Sequence, residues 1–241
     1  MSPTTPDFRP ASLVRAEFWS GFRRALPLVL VVIPFAMLFG VLATEAGLNV
    51  VEVMAFSIVV IAGAAQITAL QLMQDNAPTI IVLASALAVN LRMAMYSAAI
   101  TPHIGAAPWP WRVVAAYVLV DQSFALSHER FETAPGMPLA AKLAYFFGTV
   151  APVCPLWYAG TYAGATLGNL IPASVPLDFA VPITFIAVVA PMLRTRAHVV
   201  ACGVAVVVSL AFAFLPWQLG VLVGGLAGIA AGAEAERRTA A

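Results

Sequence analysis

The chain has 241 residues, of which 62% are apolar and 10% charged, and its formal net charge is +1. That balance excludes a water-soluble domain, and with no basic cluster interleaved with aromatics it offers nucleic acid nothing to bind. The 18 Pro and 16 Gly fall mostly inside apolar runs, which excludes the alternating strands of a membrane barrel and leaves helices as the way to satisfy the backbone in lipid.

In chain order, "MSPTTPDFRPASLVRAEFWSGFRRALP" lacks a short apolar core followed by a cleavage site, so residues 1–24 are expected to be retained as a cytoplasmic segment. Within it, "EFWSGFRRAL" suits a short interfacial helix with Phe18, Trp19 and Phe22 toward lipid. Apolar runs then predict spans over Ala25–Thr44, Glu52–Met73, Pro78–Ile100, Arg112–Ser127, Leu139–Tyr162, Asp178–Leu193, His198–Leu215 and Trp217–Ala231. The expected fold is an all-α, polytopic membrane bundle of about eight transmembrane helices, or seven if the last two form one helix broken at "LPW". Lys and Arg favour the larger number, because it gathers Arg9, Arg15, Arg23, Arg24, Arg130, Lys142, Arg194, Arg196, Arg237 and Arg238 on the cytoplasmic side. Arg112, Trp109, Trp111 and Trp217 then lie at the outer interface, and both termini are cytoplasmic. A transmembrane domain over 25–233 and a cytoplasmic tail over 234–241 complete the plan.

A faint echo at an offset of about 120 residues pairs Gly40 with Gly160, Ala43 with Ala163 and Asn49 with Asn169, each followed by an acidic residue, Glu52 or Asp178. It is compatible with chance or with two four-helix repeats of parallel orientation. Cys154 and Cys202 lie in apolar runs without metal-ligand spacing and read as small core residues. No metal or cofactor is expected.

The stretch "ASALAVNLRMAMYSAA" sets Arg92 and Asn90 in an apolar run. An arginine there costs about 2.5–3.5 kcal/mol on insertion scales and needs a partner. Asp121 in the fourth span lies about nine residues from the outer end, as Arg92 does in the third, so two antiparallel spans would bring both to about 14 Å depth. The pair reads either as structural glue or as the lining of a solute pathway, with Gln122 and Asn90 adding hydrogen-bonding groups. In "IAGAAQITALQ", Gly63 and its alanines suit close packing or a locally unwound segment whose amides bind a carboxylate, and Gln66 must bond inside the bundle. Pro34, Pro152, Pro155, Pro182 and Pro191 are expected to kink their spans. An intramembrane enzyme is disfavoured: His103, His128 and His198 all sit near predicted helix ends, without a serine elbow or paired membrane aspartates.

The motifs "LPLVLVVIPFAMLFGVLATEAGL", "AGAAQ", "NLRMAMYSAAI", "VDQSFAL" and "LDFAVPITFIAVVAP" occur in an order and spacing that resemble the AzlC family, over roughly residues 18–235. The resemblance implies the large subunit of a secondary transporter in the cytoplasmic (inner) membrane. It would export leucine, isoleucine, valine and in cases methionine on the proton-motive force, with a small AzlD-type membrane subunit as partner. It maps the family's small-residue and Gln motif onto Gly63, Ala64, Ala65 and Gln66, its membrane arginine onto Arg92, and its acidic motif onto Asp121, Gln122 and Phe124. Gln122 departs from the common "DE" form, which puts a two-carboxylate proton relay in doubt. The substrate class fits the residues: a zwitterion needs a donor for its carboxylate (Arg92 or amides near Gly63) and an acceptor for its ammonium (Asp121 or carbonyls freed by Pro152 and Pro155). Its side chain needs an apolar wall, for which Met93, Met95, Phe124 and Phe35 are candidates. A channel or a structural subunit of another membrane complex is the competing reading.

Overall fold

The computed structural model describes residues 10–167, 193, 195–216 and 219–240. Every regular element among them is a helix: α1 (Pro10–Glu45), α2 (Val50–Val59), α3 (Gly63–Gln74), α4 (Thr79–Ile104), α5 (Trp109–Tyr117), α6 (Asp121–Thr133), α7 (Leu139–Leu167), α8 (Arg196–Ala211) and α9 (Leu219–Ala240). Of these, α1, α4, α7 and α9 are long and apolar enough to cross a membrane. Pro182, Pro191, Asn169, Asp178, Trp217 and the span over 178–192 lie outside the described residues.

Local chemistry sets the helix ends. Gly47, at φ 92°, closes α1 in a left-handed turn in which its N–H donates to Thr44 O and that of Leu48 to Ala43 O. Asn76, at φ 52°, ends α3 in the same way. At the start of α2 the Asn49 side chain accepts from the Glu52 N–H at 3.0 Å while the Glu52 carboxylate accepts from the Asn49 N–H at 2.8 Å, a complete capping box.

The chain divides into two compact units, residues 1–63 with 90–169, and residues 64–89 with 170–241. The first is built on α1 and α7, which run parallel. Phe18 backs onto Gly148, Gly21 onto Tyr145, Met37 onto Gly164 and Gly40 onto Thr161, with main-chain carbonyls filling the space where a β-carbon would stand. The exchange is reciprocal: Gly21 and Gly148 each meet the carbonyl one turn before the other, as do Gly40 and Gly164. Small residues thus let two backbones touch, as suits helices that gain nothing from excluding lipid. The segment "EFWSGFRRAL" is part of the unbroken α1. Helix α2 returns antiparallel along α1, with Phe56 on Phe39 (5.6 Å between rings) and Gly63 against Phe35. It is tied to α7 where Trp157 Nε1 donates to Ser57 Oγ at 2.9 Å and Ser57 Oγ lies 3.2 Å from Thr161 Oγ1.

The stretch predicted as a fourth span over Arg112–Ser127 is instead two helices joined by Val118–Val120. Three contacts fix the direction of the second. Arg92 meets Asp121, Tyr96 stacks on Phe124 at 4.1 Å, and His103 reaches Glu132 at 3.1 Å. Numbers rise together, so α6 runs parallel to α4, and α5–α6 form a hairpin that enters and leaves by the same end of the unit. At that end Arg130 binds Glu17 of α1 through Nη2 (2.6 Å) and Nε (3.3 Å), and Trp111 packs on Phe147 near the start of α7. Trp109, Trp111 and Arg112 are therefore on the same side as Glu17 and Lys142, a correction to the expectation that the two groups lie on opposite sides of the membrane. The predicted span Glu52–Met73 is likewise interrupted, at Val60–Ala62.

Neither interruption contains proline. Pro27 and Pro34 lie inside α1, and Pro152 and Pro155 inside α7, both continuous. A proline removes one hydrogen bond, and packed neighbours tolerate the gap.

In the second unit α8 and α9 form an antiparallel pair rather than one broken helix. Gly220, Gly224, Gly228 and Gly232 recur every fourth residue and face Phe212, Ser209, Ala205 and Ala201 in descending order. Helix α9 continues through the expected tail, where Glu234 pairs with Arg237 (2.8 Å) and Arg238 (2.7 Å).

Candidate solute site

The first unit brings its two interruptions together. Val120 from one belongs to an apolar cluster with Val32, Ala36 and Trp157, against which Ile61 from the other packs together with Phe35 and Tyr158. Gly63 is required here, since a β-carbon would overlap the Phe35 and Trp157 rings. Tyr117, the last residue of α5, donates from its hydroxyl to Ile58 O at 2.6 Å and lies 2.8 Å from the Tyr158 hydroxyl. The turn before α6 is held by Ser123, whose Oγ accepts from the Val120 N–H at 2.9 Å and donates to the carbonyl of Val118 (3.1 Å) or Val120 (3.0 Å).

Asp121 is the first residue of α6, where the helix dipole favours an anion. Its Oδ2 lies 3.2 Å from Arg92 Nη1, and the side chains remain 37% and 33% exposed respectively. The contact uses one atom from each partner. Arg92 Nε and Asp121 Oδ1 are buried and unpartnered among the described residues, as is Asn90 Oδ1. A buried donor and a buried acceptor left over on the two partners of one contact are costly unless something polar completes them. Tyr96, Phe124 and His128 stack in series beside the pair, at 4.1 and 5.2 Å.

Of the residues expected at the site, Arg92 and Asp121 touch, Asn90 lies two residues along α4 from Arg92, and Gln122, partly buried, follows Asp121. Gly63 borders the apolar cluster with Phe35 rather than the ion pair. Gln66 belongs to the second unit and is fully buried, with neither side-chain atom partnered among the described residues. Met95 is 69% exposed in the isolated chain. Sequence reasoning missed Ser123, Tyr117, Tyr158 and Trp157. The signal for Ser123 was a hydroxyl at the third position of a helix, whereas nothing in the sequence marks the tyrosines. It also missed the approach of His103 to His128 and Glu132, because these residues were assigned to opposite sides of the membrane. A separate cleft of about 260 Å³ opens among the end of α4, α5 and the start of α7, lined by Thr101, Trp109, Arg112 and Leu143 among others.

Comparison with known proteins agrees with the motifs. The profile of the family described as AzlC protein matches residues 27–171. An "Uncharacterized membrane protein" of Archaeoglobus fulgidus is 31% identical over 226 residues, covering 88% of this chain and 93% of the relative. "Inner membrane protein YgaZ" of Escherichia coli is 26% identical over 202 residues, covering 77% and 76%. No solved structure matches.

Proposed function

The chain belongs to the AzlC family, and on that premise we propose that this membrane protein is the large subunit of a secondary transporter. It exports leucine, isoleucine and valine, with methionine as a further substrate, across the cytoplasmic membrane on the proton-motive force. The observation that carries this reading is the half-used ion pair. Arg92 Nε is free to donate to a carboxylate, and Asp121 Oδ1 is free to accept from an ammonium, so the pair has both complements a zwitterion needs. Phe124 and Tyr96 supply an adjacent apolar face. Asp121 is assigned the coupling role, as the carboxylate whose bond to Arg92 a substrate would exchange.

The gathering of Glu17, Arg130, Arg112 and Lys142 at one end of the first unit adds Arg112 to the basic side, in favour of a cytoplasmic N-terminus. The parallel, reciprocal packing of α1 with α7 favours an internal repeat whose halves begin at those helices. A small AzlD-type subunit is proposed as the partner. The test is efflux from cells loaded with a leucine-containing dipeptide. Deleting the gene should raise retained leucine, and expression of the chain with the small subunit should restore export. Wild-type export by a well-expressed Arg92→Ala variant would remove the ion pair from the mechanism.

A further inference from the structure

We propose that His103, His128 and Glu132 form a binding site for a divalent first-row transition metal ion, Zn²⁺ in the first place, between the ends of α4 and α6. The three residues each present a ligand atom, and these atoms lie within 4.8 Å of one another. Their arrangement follows from the parallel course of the two helices. His128 and Glu132 stand one turn apart on the same face of α6, and α4 delivers His103 opposite them. Tetrahedral zinc with nitrogen and oxygen ligands places its donors about 3.4 Å apart. His103 Nε2 and Glu132 Oε1 are already 3.1 Å apart, and the widest separation needs to close by about 1.4 Å or less on the same measure. The Glu132 side chain, 61% exposed, is free to adjust toward an ion.

A His103–Glu132 contact alone would account for two of the groups but leaves His128 unexplained. That ring is half enclosed, stacked on Phe124 at 5.2 Å and edge-on to His103 at 6.0 Å between centroids. Its Nδ1 is buried without a hydrogen-bond partner. An imidazole with an orphaned nitrogen beside a histidine–carboxylate pair is what an ion would complete. Two imidazoles and one carboxylate suit zinc, cobalt, nickel or iron(II) rather than the all-oxygen shells of calcium or magnesium. The exposure of Glu132 leaves a fourth position for water. An ion there would pin α4 to α6, the two helices that carry Arg92 and Asp121.

The test uses the full chain in detergent, purified without a polyhistidine tag and titrated with Co²⁺ and then Zn²⁺. One equivalent of Co²⁺ should give visible ligand-field absorption that Zn²⁺ abolishes, and Zn²⁺ should raise the melting temperature. Glu132→Gln, an exposed change that leaves the fold intact, should weaken binding at least about tenfold. His128→Phe should remove the absorption, and His198→Gln, outside the cluster, should change neither signal. Absence of both signals in the wild-type chain overturns the site. So does retention of full affinity in Glu132→Gln or of absorption in a folded His128→Phe chain. Because the readout is metal occupancy, its failure leaves the transport reading standing.

Discussion

Ser123 caps α6 from inside the helix: with an apolar valine in the capping position, its hydroxyl takes the Val120 N–H that would otherwise be orphaned. Ser123→Ala should therefore destabilise the chain by about 1–3 kcal/mol, the cost of a stranded buried donor, and Ser123→Thr should recover part of it in a thermal melt. The Arg92–Asp121 pair has a different signature. Because both side chains are about one-third exposed, a double-mutant cycle of Arg92→Ala and Asp121→Asn should give a stability coupling of about 1 kcal/mol or less. Export should nonetheless be lost in either single variant. A large coupling with export retained would assign the pair to structure alone. This pairing was legible in the sequence, since a lone arginine and a lone aspartate in apolar runs have few other partners. The route to it was misread: antiparallel spans would match their depths, whereas the real agent is the reversal at Val118–Val120, whose apolar, β-branched residues give no sign of a break.

At the scale of elements, the glycines of α1 and α7 separate packing from flexibility. A side chain at Gly164 would enter the Met37 carbonyl, and backbone cannot yield as a flexible side chain can. Gly164→Val should cost about 1–3 kcal/mol or more by overpacking, read as a fall in melting temperature and in folded yield. Gly225 on α9 has nothing within 4 Å of its would-be β-carbon. Gly225→Ala should gain about 0.5–1 kcal/mol from helix propensity. Long apolar helices were readable because composition over twenty residues overwhelms local noise, so α4 and α7 emerge at nearly their true positions and α1 at its C-terminal end, its first fifteen residues being too polar to read as a span. Half-length helices such as α2, α3, α5 and α6 were merged in pairs, since an apolar run continues through a break whose backbone is satisfied by one serine or tyrosine.

At the scale of the first unit, the reversal of α5–α6 decides which residues share a membrane face. With Cys154 and Cys202 replaced by serine, single cysteines at Arg15, Trp109 and Glu132 should all react with a membrane-impermeant maleimide from one side. A cysteine at Asn49, beyond the far end of α1, should react from the other. Labelling of Trp109→Cys and Glu132→Cys from opposite faces would restore a crossing helix over 112–127. Charge counting alone could not reach this arrangement, because Arg112 is a single cation and its side follows from the fold around it.

The Tyr117 hydroxyl, bonded to the last turn of α2 and to Tyr158 of α7, yokes the tips of two half-length helices to one fixed post. A tip that swings must release its fellow at the same instant, so the pair moves in step or stays still. Tyr117→Phe should uncouple that gearing, leaving a folded chain that leaks solute down its gradient, measurable in liposomes as flux without a proton gradient.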